Sequence, residues 1–259
     1  LLTLFILPLF AQSPTVVKTW YNKANESTYR FYEDRIIKEH FLTKKRDTFL
    51  LKPIPENYPD YSAVWYRDAL HLTSNSGGLI YRIEKDKTLR IDRSYQHRKQ
   101  HKAAQFVYRD TLFRYGGYGF WRANNFFTYF DESTTEWEYY PTKGFNFPPE
   151  AYGGSCFLLG DIFYSVGGLE IDKFTGHDGE INNDIWTFDF ITRKWTNLGK
   201  TAVNLSPYKI VQKDSLFYLF GLPIDKEENL VVDLKNNNVL FYKQGLISAN
   251  ISKLEPAFF

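Results

Sequence analysis

An aspartate-led pattern returns four times along this chain, and such a recurrence constrains the fold more than any single motif does. The four segments are Asp68-Ala-Leu-His-Leu, Asp110-Thr-Leu-Phe-Arg, Asp161-Ile-Phe-Tyr-Ser and Asp214-Ser-Leu-Phe-Tyr. Each opens with Asp in a turn and continues as an alternating apolar strand. Glycine follows close behind, as Gly77-Gly78, Gly116-Gly117, Gly167-Gly168 and the single Gly221. The Asp residues lie 42, 51 and 53 apart, the span of four short strands with their turns.

The second half of the unit matches more tightly. Asn124-Asn-Phe-Phe-Thr-Tyr-Phe-Asp131-Glu-Ser-Thr-Thr-Glu-Trp137 aligns without gaps to Asn182-Asn-Asp-Ile-Trp-Thr-Phe-Asp189-Phe-Ile-Thr-Arg-Lys-Trp195. Asn-Asn precedes Asp by 7 and Asp precedes Trp by 6 in both. The spacing describes a hairpin: an aromatic strand, an Asp-led turn, then a strand anchored by Trp. Asp233 and Val239 keep this register in the fourth unit, and Glu84 and Arg90 in the first. Nine residues before each leading Asp stand Pro59, His101, Tyr152 and Leu205, each opening a segment of small or apolar residues. Small side chains suit a strand crowded among its neighbours.

Composition agrees with sheets. Aromatic residues make up 19% of the chain (23 Phe, 19 Tyr, 6 Trp), and rings pack well on pleated, half-buried surfaces. The net charge of +2 supplies no electrostatic footprint for nucleic acid or an anionic membrane. Cys156 is the only cysteine, so stability is expected from the sheets rather than from disulfides.

A Gly-Gly pair closing an apolar strand, an aromatic-Asp turn and a Trp six residues on resemble the kelch repeat of the galactose oxidase/kelch-like superfamily. The resemblance covers roughly residues 59–245 and is strongest in the two central units. It implies an all-β fold, a kelch-type β-propeller in which each unit is a four-stranded blade. Four complete blades are expected near 59–100, 101–150, 151–204 and 205–250, within a domain spanning 16–259. Partial blades are expected at 28–51 and 251–259; Phe49 lies 19 residues before Asp68, as Trp195 lies 19 before Asp214. An unclosed ring would expose sheet edges, so the chain is expected to be a fragment of a longer exported protein. The apolar run Leu1–Phe10 followed by Ala11 reads as a signal peptide over residues 1–12 with an incomplete n-region. As a helix this run would span about 15 Å, too short for a ~30 Å hydrocarbon core. The expected location is secreted, periplasmic or cell surface.

The sequence contains no Gly-rich phosphate loop, His-Glu-x-x-His, Cys-x-x-Cys or Gly-x-Ser-x-Gly. The leading expectation is therefore a non-catalytic binding module without a cofactor. It would recognise a protein or glycan through the loops after the Gly-Gly strands, with no nucleic-acid partner and no membrane insertion. Long loops on a rigid scaffold are where binding concentrates. Tyr118, Trp121 and Arg122 combine the residue types of interaction hot spots with rings on which a sugar could stack. His177 and Asp178 are candidates in the longest insertion, residues 169–183. Its Asp172, Asp178 and Glu180, with nearby Asp184, are the oxygen ligands calcium would use, but their spacing fits no EF-hand and they read as solvated acids.

The resemblance also implies a carbohydrate-active alternative. Galactose oxidase carries a Tyr–Cys crosslinked copper site with His ligands, and Cys156, His97 and His101 are the residues from which one would be built here. Read from their surroundings, Cys156 is a small buried hydrophobe and both histidines sit in a basic stretch that disfavours a cation. A sugar isomerase of kelch type and the sensor domain of a longer membrane receptor are the remaining alternatives.

Overall fold

The computed structural model describes residues 16, 18–22, 25–56, 58–75, 77–94, 100–119, 122–171, 178–200, 209–213, 216–220, 228–233, 238–243 and 255–256. Asp214, Gly221 and the apolar run at 1–12 lie outside the described residues. The fold is all-β, and its sheets are antiparallel and made of consecutive strands. The first sheet contains β1 (Lys18–Asn22), β2 (Ser27–Phe31), β3 (Arg35–His40) and β4 (Arg46–Leu50). The second contains β5 (Tyr61–Tyr66), β6 (Ala69–Ser74), β7 (Ile80–Ile83) and β8 (Thr88–Arg90). The third pairs β9 (Ala104–Tyr108), β10 (Thr111–Tyr115), β13 (Phe127–Asp131) and β14 (Glu136–Tyr140), interrupted by a small hairpin of β11 (Tyr118–Gly119) and β12 (Arg122–Ala123). The fourth contains β15 (Ala151–Tyr152) and β16 (Ser155–Leu159), both beside β17 (Ile162–Ile171), then β18 (Asp178–Asp189) and β19 (Lys194–Lys200). The fifth contains β20 (Lys209–Lys213), β21 (Leu216–Phe220), β22 (Glu228–Asp233) and β23 (Asn238–Lys243), with β24 (Glu255–Pro256) added beside β20.

Two compact units divide the chain: one up to Pro59 together with Lys85–Thr88, the other Asp60–Glu84 together with everything from Leu89 onward. In the first unit the segment expected to hold a partial sheet over 28–51 is a complete four-stranded one that begins at Lys18. The alternation in Ser27-Thr-Tyr-Arg-Phe31 drives it, burying Ser27, Tyr29 and Phe31 on one face. Phe49 stands opposite Ile36 on β3, just as Trp137 stands opposite Phe130 and Trp195 opposite Phe188. At the other end, residues 255–256 do not open a new sheet. They pair with β20 through Val211↔Pro256 and Gln212↔Glu255, and an added edge position is one that tolerates proline.

The turns follow from local chemistry. The pairs Tyr66↔Ala69 and Tyr108↔Thr111 leave two-residue loops, Arg67-Asp68 and Arg109-Asp110. All four residues have left-handed φ, at 44° and 57° in the first loop and 44° and 56° in the second. That is the type I′ geometry matched to strand twist, and aspartate is among the few residues that adopt it cheaply. In the other hairpins, Asp131 Oδ1 accepts from Ser133 N at 2.8 Å and Asp189 Oδ1 accepts from Ile191 N at 2.7 Å. Each carboxylate thus starts its own four-residue turn, so the Asp-to-Trp spacing is a consequence of turn length.

Packing within the second unit runs from sheet to sheet. Leu112, Phe130 and Trp137 of the third sheet meet Val64, Tyr66 and Ile80 of the second. Phe106, Phe113, Tyr115 and Phe127 meet Phe163, Trp186, Phe188, Phe190 and Trp195 of the fourth. A sheet covered on both faces buries every other residue twice over, so β10 is buried from Leu112 through Tyr115 rather than alternating. The anchoring Trp also reaches outside its own hairpin. Trp137 Nε1 donates to Gly78 O at 2.7 Å, and a Cβ on Gly78 would lie 3.1 Å from that indole. A repeated Tyr-Arg pair adds polar staples at the sheet ends. Tyr66 donates to Glu132 at 2.6 Å with Arg67 paired to the same carboxylate, and Tyr108 and Arg109 hold Asp161 at 2.7 and 3.0 Å.

His71 lies on the β6 face turned toward the third sheet, 3% exposed, with its Nδ1 3.1 Å from Ala69 O. Burial pushes its pKa down to about 4, with Arg82 opposing protonation and Ala69 and Glu132 favouring it. The unfolded state, titrating near the ordinary 6.5, binds the proton first as pH falls. Stability from keeping this ring neutral is complete above pH 6.5 and is lost progressively down to pH 4, on the order of 3 kcal/mol. Urea unfolding of His71→Gln is expected to show a visibly flatter pH dependence than the parent across that window.

Candidate functional site

The small hairpin after β10 carries two of the expected contact residues. Tyr118 is half-buried, and its backbone exchanges hydrogen bonds with His101 at 2.7 and 2.8 Å. Its ring centroid is 5.9 Å from that of Tyr152. Arg122 is exposed on β12 and forms an ion pair with Glu150. Trp121, His177 and Asp172 lie outside the described residues, as does His97. The stretch expected as a long acidic loop is a β-ribbon: β17 runs on through Gly167-Gly168 to Ile171, and β18 returns from Asp178. Leu169 pairs with Ile181 on the way, and the register shift between Val166 and Gly168 absorbs the glycine pair as a bulge. Asp178 therefore starts a strand and Glu180 lies exposed within it. Among the described residues no three His, Cys, Asp or Glu side chains gather as a metal would need.

These hairpins adjoin a pocket between the third and fourth sheets, and β12 lies against β17. The depression measures about 420 Å³ including its open mouth. Tyr115, Cys156, Ser165 and Trp186 line it, Gly116, Gly154 and Gly167 narrow its walls, and Lys102, Tyr152, Asn182 and Asp184 also border it. The glycines are there for space: a Cβ on Gly154 would meet Gly167 O at 2.6 Å. Burial pushes the Cys156 thiol up to about 12, with a hydrogen bond to Ser165 only partly opposing it. The Tyr115 hydroxyl is likewise raised by burial beside the same serine. Both groups are protonated at neutral pH.

The repeat explains why these residues stand here. Thr73, Tyr115 and Val166 each follow their leading Asp by five residues, and Leu72, Arg114 and Ser165 by four. Between the second and third sheets, the small Thr73 donates to Gln105, the cross-strand neighbour of the large Arg114, which lies 5.1 Å over the Trp137 ring. Between the third and fourth, Tyr115 stands at the Thr73 position and Ser165 at the Arg114 position. Tyr115 now approaches Trp195, ring to ring at 5.3 Å. The bulky group over the tryptophan comes from opposite sides at the two contacts, a volume-conserving exchange of the kind cores tolerate. Arg114 itself is 1% exposed, donates to Gln100 O at 2.8 Å, and has its pKa lowered to about 10 by burial.

Compared with known proteins, the chain matches no family model and no curated protein sequence.

Proposed function

We propose that the chain is a non-catalytic binding module of the kelch β-propeller type, exported from the cytoplasm, that recognises a protein or glycan through the hairpins following its glycine pairs. The observation that carries this reading is that the hairpin after Gly116-Gly117 lies through β12 against β17, the strand that runs into the next such hairpin, beside one aromatic-lined pocket, with Tyr118 in ring contact with Tyr152 of β15. Concave sites lined by aromatic groups and a few placed polar groups are the usual form of a ligand pocket. The recurring Asp turns and the docking of Trp137 onto Gly78 support the kelch-type unit. A thiol raised to about 12 is a poor nucleophile, which favours binding over covalent catalysis at this pocket.

Arrays of defined glycans and of peptides test the proposal with the whole chain. Once a ligand is found, Tyr118→Ala, Tyr152→Ala and Arg122→Ala are expected to weaken it about tenfold or more each, as for hot-spot residues. The same holds for Trp121→Ala, and for alanine at His177 and Asp178 if the ribbon contributes. Unchanged binding in all of them overturns the assignment of this face.

A further inference from the structure

The polar groups of the pocket correspond to a side-chain amide site in the preceding unit. There Gln100, 3% exposed, is gripped at both ends of its carboxamide: Thr128 donates to its Oε1 at 2.6 Å, and its Nε2 donates to Gly116 O at 3.0 Å. Gln100 stands ten residues before Asp110, and Ala151 ten before Asp161. Gly116 and Gly167 each follow their Asp by six and share a φ of 66°. Thr128 and Trp186 coincide in the gapless alignment, and each is paired across its hairpin with an equivalent residue, Arg114 and Ser165.

Ala151, Gly167 and Trp186 all line the pocket. The amide-bearing side chain is thus truncated to a methyl group, while a residue with a donor and a glycine carbonyl stand at the repeat positions that correspond to Thr128 and Gly116. Trp186 is 6% exposed, and its indole N–H has no hydrogen-bond partner among the described residues. A buried donor in that state calls for an acceptor.

We propose that the pocket is a carboxamide site, and that its ligand presents the group as the acetamido substituent of an N-acetylated sugar. The inference rests on the binding-module reading and names the chemistry of that site. The amide carbonyl accepts from Trp186 Nε1, and the amide N–H donates toward Gly167 O, as Oε1 and Nε2 of Gln100 do one unit earlier. The part of the depression narrowed by Gly116, Gly154 and Gly167 suits a small planar group better than a sugar ring. The ring then lies outside, beside Tyr152 and Tyr118, and Lys102, Asn182 and Asp184 are the polar residues bordering the same depression.

The test is an NMR titration of the tryptophan indole resonances in the full chain, with the Trp186 signal assigned by its loss in Trp186→Phe. Acetamide and N-acetylglucosamine are expected to shift that signal, and D-glucose at the same concentration is not. Ala151→Gln should abolish both shifts by supplying the amide internally, while Gln100→Ala should create a second acetamide site. Trp186→Phe, which keeps an aromatic side chain but removes the N–H, should weaken N-acetylglucosamine about tenfold by titration calorimetry, the loss of one hydrogen bond. Shifts with acetamide alone would overturn the sugar assignment and point to an asparagine or glutamine side chain of a protein. Equal shifts with glucose, or none with any probe, would overturn the carboxamide site and leave only water there. The latter result is separable from failure of the binding face, which the Tyr118 and Tyr152 variants report on any array ligand.

Discussion

Phe127→Ala is expected to cost the second unit about 4 kcal/mol, the upper range for an aromatic truncated in a closed core. Phe127 is fully buried and sits among the rings of its cluster. Its centroid lies 4.7 Å from Tyr115 and from Phe188, 5.0 Å from Phe163 and 5.5 Å from Trp195, where the planes are nearly parallel at 12°. Those neighbours come from two sheets, and their backbones are tied into ladders that cannot close over the vacated space. A cavity remains, so the loss includes missing dispersion as well as lost burial. Phe145→Ala, at a side chain 102% exposed, should change stability by only about 0.5 kcal/mol at most. Urea unfolding followed by tryptophan fluorescence compares the two; equal midpoints would show that the cluster is not the core of this unit.

Gly117→Ala is the second large effect, and it arises from backbone rather than side chains. Gly117 has φ +86°, and a Cβ there would stand 2.8 Å from His101 O and 2.9 Å from Ala103 N. The left-handed conformation alone costs an alanine about 1–2 kcal/mol, and forcing the neighbouring strand entry aside adds about as much again. A loss of about 3 kcal/mol is expected. Gly153→Ala isolates the first contribution: its φ is +68° but nothing lies within 4 Å of the added carbon, so about 1 kcal/mol should be lost. Thermal unfolding of the pair measures the difference. Because His101 is bridged to Tyr118, Gly117→Ala should also displace the hairpin that carries Tyr118, weakening ligand binding beyond what instability explains.

The repeat was legible because its determinants are local. Asp131 and Asp189 bond to amides two residues on, so their turns can be read from neighbouring letters. The Tyr66-Arg67-Asp68 and Tyr108-Arg109-Asp110 triplets lie 42 residues apart in plain view. Their aspartates marked the turns, yet nothing local reveals that Tyr66 and Arg67 reach Glu132, or Tyr108 and Arg109 Asp161. The acidic stretch after Gly168 misled for a related reason. Charged residues on a solvent-exposed ribbon look like a loop until the partner strand is known, and here the Leu169↔Ile181 pairing extends the sheet through it.

The sequence by itself determined the Asp-led hairpins and their repeated spacing, which rest on interactions within about ten residues of chain. Tertiary structure decided how neighbouring sheets complement one another. Whether Arg114 over Trp137 or Tyr115 beside Trp195 fills a junction depends on residues from different units meeting across a shared face. The same holds for the pocket: Ala151, Gly167 and Trp186 are separated along the chain and become one site only when the sheets pack. Spacing sets where each side chain points, but volume and hydrogen bonding between sheets determine which of those places stays open.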